Sequence, residues 1–136
     1  MISTADGPAE YTPPIDLRAD TLSSAQLDVA VFTAVLPGRS TASEMRLASE
    51  LIGLPIHDRY LYPTLQFDVE ARRIRDEVIY ANRLLDAADD PWGALSWWFT
   101  PAVVLHDRPP VELLRSGVLS REATELTIAA DSAGMG

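Results

Sequence analysis

The sequence predicts a mainly α fold: a small helical domain with one short β-hairpin between the N-terminal helices and the C-terminal helical domain. Two observations predict the helices. Apolar residues recur at helical spacing, and these segments begin at capping residues and end at glycine or proline. A third observation predicts the hairpin, because only residues 54–63 combine aromatic and branched residues around a short polar turn. With 136 residues and no cysteine, the chain should fold around an apolar core without disulfides.

The N-terminal segment divides into an arm and two helices. Residues 1–20 are rich in Pro, Asp, Ala and Thr and lack periodicity, so they predict a disordered arm. Ser23–Gln26 has the spacing of a capping box, and the helical repeat that follows stops at Pro37. A second capping box, Thr41–Glu44, begins a helix whose apolar face continues until Gly53.

The middle of the chain predicts the hairpin and a third helix. Leu54–Pro63 should form two short strands, and its prolines limit them to an edge-like element. We therefore interpret residues 21–67 as a degenerate helix-turn-helix-like segment with a hairpin. Asp68 should cap a helix that starts at Val69. The apolar stripe of that helix consists of Ile74, Val78, Ala81 and Leu85.

Three helices are expected in the C-terminal part. Asp90 and Pro91 supply a cap and a first-turn proline for a helix over Trp92–Phe99. Pro109-Pro110 opens a second helix that ends at Gly117, and Ser120 caps a third that runs to about Ala130. The tryptophans Trp92, Trp97 and Trp98 should pack in the core. Because neighbours on a helix point about 100° apart, we expect Trp97 or Trp98 to face partly outward.

Charge and composition exclude several functions. Eleven arginines, no lysine and twenty carboxylates give a net charge of −9, which disfavours nonspecific DNA binding. His57 and His106 are isolated from other metal ligands, and no serine has a plausible base, so we expect no catalytic, metal or cofactor site. No apolar run reaches the length of a membrane span. We therefore expect a cytoplasmic protein that is not an enzyme.

An ordered set of motifs carries a family resemblance. The chain has Tyr62–Asp68 (YPTLQFD), then Asp90–Trp92 (DPW), Thr100-Pro101 after the tryptophan helix, and Leu113-Leu114 in a helix led by proline. This order resembles the toxin-binding domain of the Xre/MbcA/ParS antitoxins over roughly residues 60–131. The likeness also includes Leu105 and Arg108-Pro109. Members often have Asn and a glycine-bearing turn where this chain has Ala102 and His106-Asp107.

The resemblance implies inhibition of an enzyme by a partner protein. It implies that residues 68–136 form the toxin-binding domain of a type II antitoxin, which covers the active site of a RES-domain, NAD-degrading toxin. It also implies a homodimer or a larger hetero-oligomer with the toxin. Its acidic C-terminal third would be attracted to a cleft that binds NAD phosphates. The implied toxin contacts are Trp98, Arg108, Arg115, Thr127, Ala130, Asp131, Ser132 and Met135.

Two points of this interpretation stay open. The region Thr127–Gly136 ends in small residues, and either contributes directly to inhibition or is a frayed terminus. If it contributes, Asp131 should pair with an arginine of the toxin. The alternative function is a DNA-binding autoregulator that uses residues 41–63, although its recognition helix offers only Arg46 as a cation.

Overall fold

The computed structural model describes residues 15–23, 42–68, 70–71 and 73–132. It is 48% helical and 18% strand, and it contains two small antiparallel sheets, so the protein is a small α+β domain. The prediction of a mainly α fold is wrong. The additional strands are only two or three residues long, too short to show the alternation by which a strand is recognised in sequence.

The first sheet contains the predicted hairpin and one further strand. Its strands, all antiparallel, lie in the order β1-β3-β2. Their bounds are β1 Thr21–Ser23, β2 Leu54–Ile56 and β3 Arg59–Pro63. The hairpin expected over residues 54–63 is therefore present, with His57 in its turn at a positive φ of 57°.

Part of the predicted disordered arm belongs to the fold. Ile15 is buried in the main core, and the Asp20 amide donates to the carbonyl of Asp16 across 2.7 Å. The turn is closed in the other direction by the Asp16 amide, which donates to the Asp20 carboxylate. Residues 15–20 thus form a closed turn that leads into β1. Residues 1–14 lie outside the described part of the chain.

The first two predicted helices have different outcomes. The helix expected after Ser23 falls within residues 24–41, outside the described residues. The second helix, α1 (Ala42–Leu47), is shorter than predicted because the backbone turns to a positive φ of 62° at Ser49. Leu51 and Ile52 are still fully buried. They reach the core from an irregular segment, where the sequence predicted a continuing helical face.

The helix expected from Val69 begins later. A second sheet precedes it, formed by β4 (Phe67–Asp68) and β5 (Arg73–Ile74). Helix α2 then runs over Asp76–Leu84. Asp68 does act as a local acceptor, with 3.1 Å between its Oδ1 and the Ala71 amide nitrogen. That bond closes the turn of a hairpin, so the prediction that Asp68 caps a helix is wrong.

The C-terminal helices match their predictions closely. The Asp90 carboxylate caps the first of them by accepting from the Gly93 amide at 3.0 Å. The Ser120 hydroxyl accepts from the Ala123 amide at 3.0 Å, and Gly117 ends the middle helix at a positive φ of 74°. The elements are α3 Pro91–Phe99, a 3-10 turn Val103–Leu105, α4 Pro110–Arg115 and α5 Arg121–Ser132.

The main core unites both halves of the chain. Ile52 and Leu65, from the N-terminal half, pack in one cluster with Val78 of α2 and Trp98 of α3. The boundary proposed at residue 67 therefore does not separate two cores. Helices α2 and α5 also pack against each other. None of the helices in the described ranges combines the length and the apolar run needed to cross a bilayer.

Candidate functional site: an apolar groove beside Trp97

A buried polar network fixes the position of α3. The side chains of Gln66, Asn82 and Trp98 are fully buried. The Trp98 indole donates to Asn82 Oδ1 at 3.1 Å, and Asn82 Nδ2 donates to Gln66 Oε1 at 3.0 Å. Gln66 also exchanges two hydrogen bonds with the backbone of Ile52, at 2.7 and 3.2 Å. Because every member has a partner, the network joins α2, α3 and the segment before the hairpin without an uncompensated polar group.

Trp97 lies on a different side of α3 from this network. Its ring is 4.9 Å from that of Trp98, at an interplanar angle of 80°. Only 6% of Trp97 is exposed, and Trp98 is fully buried. The prediction that one of the pair would face outward is wrong, because two different elements cover α3. Asn82 of α2 contacts Trp98, whereas the end of α5 lies beside Trp97.

The elements around Trp97 enclose a groove of about 300 Å³. Helix α3 and the following Pro101 form one wall, and the last two turns of α5 form the other. We call this feature the Trp97 groove. Its lining consists of Gly93, Ser96, Trp97, Thr100, Pro101, Ala102, Val103, Val104, Thr127, Ala130 and Asp131.

The Trp97 groove is lined mainly by apolar side chains, and its two threonine hydroxyls donate hydrogen bonds within the protein. Thr100 donates to the Ser96 carbonyl at 2.6 Å, and Thr127 donates to the Ala123 carbonyl at 2.7 Å. Neither hydroxyl hydrogen is available to a ligand. The indole nitrogen of Trp97 is buried and has no hydrogen-bond partner among the described residues. Such an unpaired donor is uncommon in a folded core.

The rim of the groove presents apolar side chains to solvent. Val103 is 82% exposed and Val104 is 47% exposed. Both belong to the 3-10 turn, which a bridge between Ala102 and Arg108 holds in place. The Ala102 amide donates to the Arg108 carbonyl at 3.2 Å. The valines are therefore displayed by a closed loop that keeps them out of the core.

This loop contains a left-handed turn at His106 and Asp107. His106 and Asp107 adopt positive φ angles of 59° and 62°, the left-handed conformation that favours glycine. Histidine and aspartate tolerate this conformation better than most residues, at some cost in strain. These two positions thus adopt a backbone conformation that glycine would adopt easily.

Among the described residues, Asp131 is the only charged one that lines the groove. It is exposed in the last turn of α5, where no basic residue is present. A carboxylate at a helix C-terminus is disfavoured by the helix dipole. Its position is therefore not explained by the stability of the helix.

The structure brings together only some of the predicted toxin-contact residues. Thr127, Ala130 and Asp131 all line the Trp97 groove. Ser132 is the last residue of α5. Its side chain and the whole of Met135 lie outside the described part of the chain. The last two turns of α5 thus contribute three of the predicted residues to the Trp97 groove.

The other predicted contacts lie elsewhere. Trp98 is enclosed in the core and offers no exposed surface for a partner, so in this conformation it acts as a packing residue. Arg108 is exposed and pairs with Glu112 at 3.2 Å. Arg115 borders a second, more polar cavity of about 270 Å³, which also includes Asp20. Neither arginine lines the Trp97 groove.

Sequence reasoning missed the residues that form most of the groove. Trp97, Val103 and Val104 were not predicted as site residues, although they supply its wall and rim. Adjacent valines between Pro101 and a polar turn were the available signal. A segment that short cannot bury both side chains, so at least one had to be exposed.

The surface proposed for DNA contact offers few available cations. The Arg46 guanidinium stacks over the Tyr60 ring at 3.6 Å, and its Nε is buried. Arg59 is exposed at the edge of the hairpin. One of the two arginines in residues 41–63 is therefore engaged within the protein.

A cluster at the other end of α5 fixes the helix that carries the groove wall. The Tyr80 hydroxyl of α2 donates to the Glu125 carboxylate. This hydrogen bond is the main cause that raises the pKa of Tyr80 above its usual 10.0. The Arg121 guanidinium, 4.5 Å from the Tyr80 ring, has the opposite effect on that pKa. The cluster ties the first half of α5 to α2, whereas Asp131 lies in the last turn of α5.

The geometry is suited to binding by shape and charge. Across residues 15–23, 42–68, 70–71 and 73–132, no group of three or more His, Asp or Glu side chains converges as a metal site. What the Trp97 groove offers is an apolar depression with one carboxylate at its edge. Comparison of the chain with protein-family models, curated proteins and solved structures gives no match.

Proposed function

We propose that this chain is the antitoxin of a type II toxin-antitoxin pair and that it neutralises a RES-domain, NAD-degrading toxin by covering its active site. The proposal begins from the ordered motifs in residues 60–131 that resemble the Xre/MbcA/ParS toxin-binding domain. Its output is binding, and no chemical step is assigned to the chain. A homodimer or a larger assembly with the toxin fits the same proposal.

One observation carries the proposal. The helix and Thr-Pro break of the motif form a continuous, largely apolar surface with Thr127, Ala130 and Asp131 of α5. Exposed valines at the rim make this surface unusual for a protein that acts alone, because apolar patches on soluble proteins commonly mark interaction sites. The surface therefore supports a partner-binding role for Thr100-Pro101, the quoted motif of the resemblance that lines it.

Electrostatics support the same partner. Residues 84–136 contain eight carboxylates and three arginines. A cleft that binds the phosphates of NAD is expected to be basic, and opposite charges accelerate association and favour the correct orientation. The described carboxylates of this region include Asp131 at the groove. The net charge of −9 also opposes contact with a DNA backbone.

The test is neutralisation of the toxin encoded beside this gene. Co-expression should restore the growth of cells that produce the RES-domain toxin, and the two proteins should co-purify. Truncation after Ala130 should keep the fold and weaken the rescue, because it removes Asp131. A toxin with full NAD-degrading activity in the presence of excess purified antitoxin contradicts the proposal.

The same purified proteins distinguish the alternative of a DNA-binding autoregulator. We expect weak or no binding of the free protein to its own promoter at physiological salt. Tight and sequence-specific binding by the free protein, without toxin inhibition, supports the alternative. Operator binding that requires the toxin is compatible with our proposal, because an assembly can combine several weak sites.

A further inference from the structure

We propose that the Trp97 groove receives a branched apolar side chain of the toxin that lies next to an arginine, and that this arginine pairs with Asp131. This inference rests on the proposed function, because it names the chemistry of the partner surface. It concerns the groove walls and rim, whereas the proposed function concerns only whether the toxin is bound and inhibited.

The size and lining of the groove indicate an aliphatic occupant. Its volume of about 300 Å³ is at the lower end for ligand pockets and suits a side chain better than a whole cofactor. The threonine hydroxyls are already donated to helix carbonyls. A polar ligand would lose its hydration here without gaining those hydrogen bonds.

The unpaired indole of Trp97 is a second, independent observation. Its N–H is enclosed and has no acceptor among the described residues. A partner chain that inserts a side chain also brings its own backbone carbonyls to the rim. A partner carbonyl that accepted from the indole would remove the cost of an unpaired donor.

The carboxylate of Asp131 predicts that a cation of the toxin lies next to the apolar side chain. Asp131 is the one charged lining residue in the described part of the chain, and it stands at a helix end where a carboxylate is unfavourable. A cation from the partner would convert this unfavourable position into a favourable contact. Arginine fits better than lysine, because its planar fork can donate two parallel hydrogen bonds to a carboxylate.

The chemistry of the groove can be tested without the toxin. The probes are isoamylguanidinium, isoamyl alcohol and methylguanidinium, which carry both groups, the alkyl group alone and the cation alone. We expect NMR shifts at the Ala130 methyl and the Trp97 indole, with isoamylguanidinium binding about threefold more tightly than the alcohol, as for an ion pair at a solvated rim. Equal binding of all three probes, or no shift at these positions, overturns the inference.

Matched pairs of substitutions on α5 test whether toxin binding depends on the groove. Ala130→Phe should fill the groove and weaken toxin binding about thirtyfold or more, whereas Ala129→Phe, at an exposed neighbouring position, should not. Asp131→Asn should weaken it about tenfold, and Glu122→Gln, exposed on the same helix, should not. If Ala130→Phe fails to fold, Val103→Arg tests the same groove at a position that is 82% exposed.

A stability measurement separates docking from a structural role. Because Asp131 opposes the helix dipole, Asp131→Asn should raise Tm by about 1–3 °C while it weakens binding. A fall in Tm together with weaker binding indicates a structural role and overturns the inference. If Ala130→Phe and Ala129→Phe weaken toxin binding equally, the inference about the groove is overturned. The proposed function is unaffected by that result. If the toxin does not bind, the proposed function fails and this inference fails with it, even when the probes bind to the groove.

Discussion

The two sides of helix α3 differ in how completely their polar groups are satisfied. On one side, the Trp98 indole donates to Asn82, which is held in turn by Gln66. On the other side, the Trp97 indole has no partner among the described residues, and the surface beside it is open. Both rings are buried. Burial alone therefore does not distinguish a core tryptophan from one that lines a binding surface.

The difference indicates that the two sides of this short helix have different roles, one in stability and the other in binding. The side that contains Trp98 fixes the relative positions of α2, α3 and the segment around Ile52, because each hydrogen bond there is enclosed. The side that contains Trp97 is bordered by exposed valines and a carboxylate at a helix end. We expect substitutions on the first side to lower stability and substitutions on the second to lower binding.

The largest effect is expected for Gln66→Leu, at the centre of the network. The leucine leaves the amide and carbonyl of Ile52 and the carbonyl of Pro63 without their present partner. Each unsatisfied buried group costs about 1–3 kcal/mol, so we expect a loss of about 3–5 kcal/mol in the free energy of unfolding. Urea denaturation measures it. A loss below about 1 kcal/mol would show that water or backbone movement replaces the network.

The two tryptophans can then be compared by the same substitution. Trp98→Phe removes a buried hydrogen bond and leaves Asn82 Oδ1 unpaired, which should cost about 2–4 kcal/mol with the lost volume. Trp97→Phe loses volume but removes a donor that has no partner, so it should cost less. Thermal and urea unfolding of both variants gives the difference. Equal costs would contradict the contrast between the two sides of α3.

Local signals in the sequence predicted the C-terminal helices. The caps at Asp90 and Ser120 act on amides three residues away, and Gly117 adopts the left-handed conformation that ends a helix. Each is a property of a few neighbouring residues. The hairpin over residues 54–63 was predictable for the same reason. These features could be derived without knowledge of the rest of the fold.

The parts that the sequence did not predict depend on distant partners. Gln66 bonds to Ile52 and Asn82, which are 14 and 16 residues away, and nothing local marks it as a network residue. Strands β4 and β5 are two residues each, so Asp68 was mistaken for a helix cap. Likewise, Thr127, Ala130 and Asp131 were named from a resemblance, but Trp97 joins them only because α5 packs against the 3-10 turn that follows α3.

A smaller effect is expected in the turn that supports the groove rim. His106 has a positive φ of 59°, and glycine adopts this conformation without a steric penalty. His106→Gly should therefore stabilise the protein by about 0.5 kcal/mol, after the entropy gained by the unfolded chain is subtracted. Thermal unfolding measures the change, and Ser116→Gly, in an ordinary helical conformation, serves as the control. Destabilisation by His106→Gly would indicate that the histidine ring makes a contact that outweighs the strain.

The smallest effect on stability is expected for Val103→Ser. This substitution is also the sharpest test of the difference between the two sides of α3. Val103 is 82% exposed, so the loss of its methyl groups removes little buried apolar area, and stability should change by about 0.5 kcal/mol or less. If the rim is part of the toxin interface, the same variant should weaken toxin binding, because a side chain that is exposed in the free protein becomes buried in the complex. Calorimetric titration with the toxin measures the affinity, and Val118→Ser, at a position 60% exposed outside the groove, is the matched control. Equal affinity of the two variants would show that exposed valines here are ordinary surface residues, and that the open side of α3 differs from the closed side in packing alone.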